Sequence, residues 1–257
     1  RSLMIHPSAI VDPKAELDSS VEVGPFSVIG AGVKIDAGTR VGPHVVINGP
    51  TTIGRDNRIF QFASVGEACQ DLKYKDEPTE LVVGDGNTIR EGVTMHRGTI
   101  QDHGITQVGS NNLFMAYVHV AHDCRVGNNI IVANNSALAG HVRVGDGAIL
   151  GGGTLVHQFC QIGAFSMTAA GTVVFQDIPA FVMASGNRAH PHGMNFEGMR
   201  RRGQSDESIA RLRAAYKRVY RQGLTLEAAL EGLPFDSDPM VELFRQSLVE
   251  ATRGIIR

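Results

Sequence analysis

From Ile5 onward an aliphatic residue recurs at every sixth position, through Val11, Leu17, Val23, Ile29, Ile35, Val41, Ile47, Ile53, Ile59 and Val65. A period of six fits neither the 3.6-residue turn of a helix nor the alternation of a lone strand. It predicts a solenoid whose repeats are each too small to fold alone. The period returns at Val83, Ile89 and Met95, and again from Val108 through Phe114, Val120, Val126, Val132, Leu138, Val144, Leu150 and Val156 to Ile162. Glycine often follows the aliphatic, as in Val23-Gly24, Val41-Gly42 and Ile162-Gly163, and reads as a turn residue. Three hexads (3 × 6 = 18 residues) make one triangular coil. Coils stacked at about 4.8 Å place residues 18 apart above one another, with one buried aliphatic per side forming the core.

Two polar stretches, 66–82 and 97–107, break the period and read as inserted loops. Long loops in a compact fold usually carry function. If they replace no hexad, Val65, Met95, Val120, Leu138 and Val156 share one side of the prism, and both loops leave from it. The same side carries His96, His119, His122, His141 and His157, five of the ten histidines. A single one of these reads as a turn cap or a satisfied polar group. Stacked together under two polar loops, they point to a site that binds or reacts.

Past Ile162 the period weakens at Thr168, reappears at Val174 and ends near Ile178-Pro179. The stretch 187–203 is rich in glycine, histidine and arginine, and reads as a linker or binding loop. From Ser205 an apolar stripe of Ile209, Leu212, Tyr216 and Val219 predicts an amphipathic helix up to Gly223, with shorter helices at 225–231 and 239–253. The expected fold is therefore mainly β: a parallel β-helix over 4–188 with two inserted loops, then a small α-helical domain over 189–257 that caps the open sheet edge. Between Arg200 and Arg221 eight basic residues face Asp206 and Glu207, a local net charge of 8 − 2 = +6. Such a face is either merely solvated or steers an acidic partner and anchors phosphates.

Composition narrows the classes further. A net charge of −2 gives no nucleic-acid signature, and no apolar run approaches the roughly 20 residues of a membrane span. Cys69, Cys124 and Cys160 are odd in number and lack metal-ligand spacing, which favours free thiols in a reducing compartment, the cytoplasm. No signal peptide is expected. The start Arg1-Ser2-Leu3, without methionine, reads as a trimmed end.

The most specific segments are His119-Val120-Ala121-His122-Asp123-Cys124, Ala139-Gly140-His141-Val142, Val156-His157-Gln158-Phe159-Cys160, Gln70-Asp71-Leu72-Lys73-Tyr74 and 195–203. On these, nearly the whole chain resembles the UDP-N-acetylglucosamine acyltransferase family, hexapeptide-repeat enzymes that open lipid A biosynthesis. The resemblance implies a left-handed β-helix, a homotrimer with sites between neighbouring prisms, and transfer of a 3-hydroxyacyl chain from acyl carrier protein to the 3-hydroxyl of UDP-N-acetylglucosamine. It implies His122 as general base and the backbone N–H of Gly140 as oxyanion donor. As substrate ligands it implies Gln70, Asp71, Lys73, His96, His119, His141, His157, Gln158, Asn195, Glu197, Arg201 and Arg202. Ala170, near Met167, would floor the acyl pocket and favour a medium-length chain. No metal and no cofactor beyond the carrier's phosphopantetheine are expected. A role for Asp123 in tuning His122 looks weak, because adjacent residues in a strand point apart.

Rival readings share the repeat. A γ-class carbonic-anhydrase-like zinc enzyme would hold zinc through three histidines, but its His-x4-His spacing is missing here. The related lipid A N-acyltransferase carries an extra domain before its repeats, whereas these begin at Ile5. A scaffold without chemistry would tolerate loss of His122 with no change beyond stability.

Overall fold

The computed structural model describes residues 4–257, so the reading of Arg1-Ser2-Leu3 lies outside the described residues. From the second coil onward each hexad aliphatic, such as Val23, Ile29 and Ile35, turns inward from a short strand and is buried. Strands one coil apart pair in parallel, Ile10 with Val28 and Val11 with Ile29. Three sheets result. The first face starts at Ile10–Val11 and has nine strands, the second starts at Glu16–Leu17 and has eight, and the third starts at Glu22–Val23 and has ten. This is the left-handed parallel β-helix that the hexads and the family resemblance predict. At about 1.5–3 kcal/mol per buried aliphatic, the inward column offsets the ordering cost of the coils. Thr168, where the period weakens, still points inward beside Leu150. Its hydroxyl is satisfied by the Gly151 N–H at 3.1 Å and Thr154 Oγ1 at 2.8 Å.

The structure corrects the turn chemistry. Gly24 directly follows its aliphatic, yet its φ is not positive. A Cβ there would meet Gly42 C and Pro43 N of the next coil at 2.7 Å, so glycine is required by coil-to-coil approach. The left-handed position comes two residues later, where glycines such as Gly32 and Gly38 alternate with side-chain-bearing residues: Phe26 at φ +60°, Asp123 at +63°, His141 at +62° and Phe159 at +66°.

Register across the loops is as expected. Val65 pairs with Met95 and Met95 with Val120, and Leu138, Val156 and Val174 continue the row on the first face. The separations 95 − 65 = 30 and 120 − 95 = 25 exceed one coil of 18 by 12 and 7 residues. Both loops are shorter than expected, because Ser64–Glu67, Glu80–Val83 and Ile105–Val108 extend as strands and leave 68–79 and 97–104. Arg97 of the second loop braces the first, donating to the Tyr74 hydroxyl at 3.3 Å and to the Gly66 carbonyl of the strand before it at 2.5 Å.

At the C-terminal end an antiparallel strand, His190–Met194, pairs with Val182–Ser185, beyond the expected division at 188. Helices follow: α1 (Phe196–Arg201), α2 (Asp206–Tyr220), α3 (Leu226–Glu231) and α4 (Pro239–Val249). The first was expected as a loop. It forms because Asn195 caps it, accepting from the Gly198 N–H at 2.9 Å. The predicted α2 stripe is buried throughout, and α4 stops four residues early (253 − 249). The domain seals the last coil: Ala180 N–H donates to Ser247 Oγ, and Asp177 bridges to Ile255. No described helix is long and apolar enough to cross a membrane. The three cysteines are free and buried, and burial pushes the thiols of Cys124 and Cys160 up to about 12.

Candidate active site

The corner between the first and second faces is a stack of three-residue turns: Ala121-His122-Asp123, Ala139-Gly140-His141 and His157-Gln158-Phe159. Because His122 and Asp123 lie in a turn and Asp123 takes a left-handed conformation, their side chains converge, contrary to the strand argument. His122 Nδ1 is 2.9 Å from Asp123 Oδ2. A carboxylate only accepts, so Nδ1 carries the hydrogen and Nε2 keeps its lone pair in the neutral ring. Asp123 is fully enclosed and fixed by the second loop: Thr99 N–H donates to Oδ1 at 2.8 Å and Thr99 Oγ1 to Oδ2 at 2.6 Å. Gly140 lies one coil above His122. A Cβ on Gly140 would come within 2.6 Å of His122 Nε2, and its own N–H has no acceptor among the described residues.

A cleft of about 640 Å³ opens at this corner. His96, His119, His122 and Gly140 line it, as do His157 and Gln158 from the coil above. The first loop adds Gln70 and Asp71, and the outer side of the first face adds an apolar wall of Ala137, Leu155 and Val173. His119 is bonded through Nδ1 to Thr94 Oγ1 at 2.6 Å and meets His96 edge to face at 4.8 Å between ring centres. Burial holds the His119 imidazole down at about 4, and burial likewise lowers His96, so both are neutral at neutral pH.

Other predicted residues stand outside the cleft. Lys73 is exposed on the first loop, its N–H donating to Asp71 Oδ1. His141 sits behind His122, stacked on Phe159 with centres 4.3 Å apart. Met167 and Ala170 belong to the third face and its following turn, and Asn195 donates to Met167 Sδ at 3.0 Å. Glu197 and Arg201 form an exposed pair at 3.4 Å, and Arg202 covers the Phe165 ring. Apart from Lys73 and His141, which stay beside the corner, the predicted residues thus form two groups on different sides of one prism. Two residues of the corner were not singled out as site residues: Asp123, dismissed on strand geometry, and Asp102, 39 positions from the His141 it contacts. The available signal for Asp123 was its place three residues after the inward Val120, the left-handed turn position that Asp and Asn also fill in other coils. Nothing in the spacing marks Asp102.

His122, Asp123 and His141 offer ligand atoms within 4.8 Å of one another. The zinc rival requires three histidines. Here the third donor is a carboxylate whose two oxygens already serve Thr99 and His122.

Comparison with known proteins agrees with this geometry. Residues 177–256 match the family described as UDP N-acetylglucosamine O-acyltransferase, domain 2, and residues 14–49 and 105–140 match the bacterial transferase hexapeptide repeats. The acyl-[acyl-carrier-protein]–UDP-N-acetylglucosamine O-acyltransferase of Stutzerimonas stutzeri is 58% identical over 99% of both chains. That of Pseudomonas putida (strain GB-1) is 60% identical over 98% of this chain and 99% of its own. The crystal structure of LpxA from Acinetobacter baumannii superposes with a TM-score of 0.97 at 50% identity, covering 99% of this chain and 100% of that one. With this fold, this corner and relatives of this identity over their whole length, the chain belongs to the UDP-N-acetylglucosamine O-acyltransferase family and is an acyltransferase.

Proposed function

We propose that the chain moves a 3-hydroxyacyl group from acyl carrier protein to the 3-hydroxyl of UDP-N-acetylglucosamine, the first step of lipid A biosynthesis, with His122 as general base. The observation that carries this reading is the His122 imidazole, tied to a buried carboxylate at Nδ1 and lying against Gly140 at Nε2. Nε2 takes the sugar hydroxyl proton as that oxygen attacks the thioester carbonyl. The Gly140 N–H stabilises the resulting oxyanion, the C–S bond then breaks, and the imidazolium returns the proton to the phosphopantetheine thiolate. No further cofactor enters this chemistry.

His96, His119, His157 and Gln158, with Gln70 and Asp71 on the loop, are assigned to the sugar nucleotide. The wall of Ala137, Leu155 and Val173 suits the start of the acyl chain. We place Lys73, Asn195, Glu197, Arg201, Arg202 and the acyl-floor residues Met167 and Ala170 in a site completed by a neighbouring copy within a homotrimer. Two observations support this. The two ligand groups lie on different sides of one chain, and an exposed aromatic column, with His44 packed between Phe26 and Phe62 and Tyr117 further along, runs down another corner. Arg200, Arg213 and Lys217, against the single acid Asp206, line a groove of about 480 Å³ between α1 and α2 whose net positive charge suits an acidic carrier protein. Free buried thiols fit the cytoplasm.

Transfer from acylated carrier to UDP-N-acetylglucosamine, compared between wild type and a folded His122→Ala variant, tests the base. The variant is expected to lose at least about a hundredfold in rate. Absence of transfer by the wild type at any acyl length would overturn the reading. The same assay over donors of graded length reads the medium-length preference assigned to Ala170.

A further inference from the structure

Behind the His122–Asp123 pair stands a second imidazole–carboxylate pair that the reaction as written does not use. His141 occupies the same left-handed turn position as Asp123, one coil further on. Its Nδ1 lies 2.7 Å from Oδ2 of Asp102, which the second inserted loop brings in from 39 residues away. The ring is clamped flat on Phe159, with 7° between planes, and meets His122 edge to face at 5.0 Å. Its Nε2 is 3.8 Å from Asp123 Oδ2, the same oxygen that holds His122.

Asp102 is suited to this position. Its Oδ1 accepts from the His103 N–H at 2.8 Å and faces His103 Nε2 at 3.5 Å and Arg125 at 3.7 Å, which leaves Oδ2 for His141. Burial is the largest single influence on the Asp102 carboxyl and works against its charge, but the His141 hydrogen bond, the His103 N–H and the nearby imidazoles together hold it below its ordinary range. An ionised carboxylate can only accept, so it commits His141 to the form with hydrogen on Nδ1 and sets the plane of the ring. Asp102 thus holds Nδ1, while Nε2, left with its lone pair 3.8 Å from Asp123 Oδ2, makes no hydrogen bond there, so His141 meets the catalytic pair through the edge-to-face contact with His122.

We propose that Asp102 is a positioning residue: it fixes the tautomer and orientation of His141 and, through the edge-to-face contact of that ring with His122, the placement of the base. The inference rests on the reading of His122 as base. It also gives the second loop a function, since Thr99 and Asp102 of one short segment grip both carboxylate–imidazole pairs.

The test is a double-mutant cycle of Asp102→Asn and His141→Gln, combined with nitrogen-15 spectra of the labelled imidazoles. Asparagine can still accept from Nδ1, so the fold is kept, and an unchanged melting temperature checks this. Asp102→Asn is expected to lower kcat on the order of tenfold at nearly constant KM for the sugar nucleotide, and to have no further effect in the His141→Gln background. The His141 Nδ1 signal should be that of a protonated nitrogen in wild type and become averaged in Asp102→Asn. Independent, multiplicative losses in the cycle, or an unchanged His141 signal, would overturn the proposal. So would a lowered melting temperature with kcat intact, which would make Asp102 only a loop staple. The spectra do not depend on turnover, so failure of His122→Ala to lower the rate would count against the base assignment alone.

Discussion

At the scale of single residues, most polar groups in the stack are matched, and Asp177 is the informative exception. It is buried under the C-terminal tail. Oδ1 accepts from the Gln161 N–H at 2.8 Å, while Oδ2 has no partner among the described residues. Burial pushes its carboxyl up to about 6, against about 3.9 in an unfolded chain. Between those values the folded protein holds a proton that the unfolded chain has released. This contribution to stability is therefore full below about pH 4 and lost as pH rises through about 6. His96 and His119, lowered by burial, act in the opposite direction, so the comparison is variant against wild type at each pH. Asp177→Asn keeps the Gln161 bond and removes the charge. Thermal melts are expected to show the variant more stable at pH 7–8 and to lose that advantage toward pH 4.

At the scale of elements, the coils are joined by side chains as well as by strands. Asn57, Asn87 and Asn112 form a buried ladder on the corner between the second and third faces. Asn57 Oδ1 accepts from Asn87 N–H at 2.8 Å, Asn87 Oδ1 from Asn112 N–H at 3.0 Å, and Asn112 Oδ1 from Ile130 N–H at 2.8 Å. Asn87→Ala would strand the Asn112 N–H in a dry corner, at a cost of about 1–3 kcal/mol, and should lower the urea midpoint accordingly. The strands and their faces were legible because burial of one aliphatic per six residues leaves a mark at every coil. The loop ends were not, because pairing with neighbouring coils draws residues such as Glu67 and Glu80 into strands that the polar sequence did not suggest. Helix α1 escaped for a related reason: six residues carry too little periodicity, and only the Asn195 cap marks its start.

At the scale of the whole molecule, the prism separates what the family resemblance groups together. The histidine corner was legible from counting hexads, since residues 18 apart must stack. That Asn195, Arg201 and Met167 lie elsewhere on the same chain is a matter of which face each coil presents at the C-terminal end, and the local pattern there is too irregular to count. The trimer reading makes a direct prediction. Neither His122→Ala nor Arg201→Ala homo-oligomers should transfer efficiently, but mixing the unfolded chains and refolding them together should restore part of the activity, because some sites combine two intact halves. Activity no higher than the separate variants, in assemblies of confirmed mixed composition, would place the whole site on one chain. A last consequence concerns the His122–Gly140 pair. The two residues are one coil apart, so the spacing of their backbones is set by the pitch of the coil. A histidine and a glycine installed 18 positions apart on another coil of such a solenoid would inherit the same spacing. The spacing is in that sense portable, a property of the scaffold's ruling, while the aim of the imidazole belongs to the carboxylate beside it.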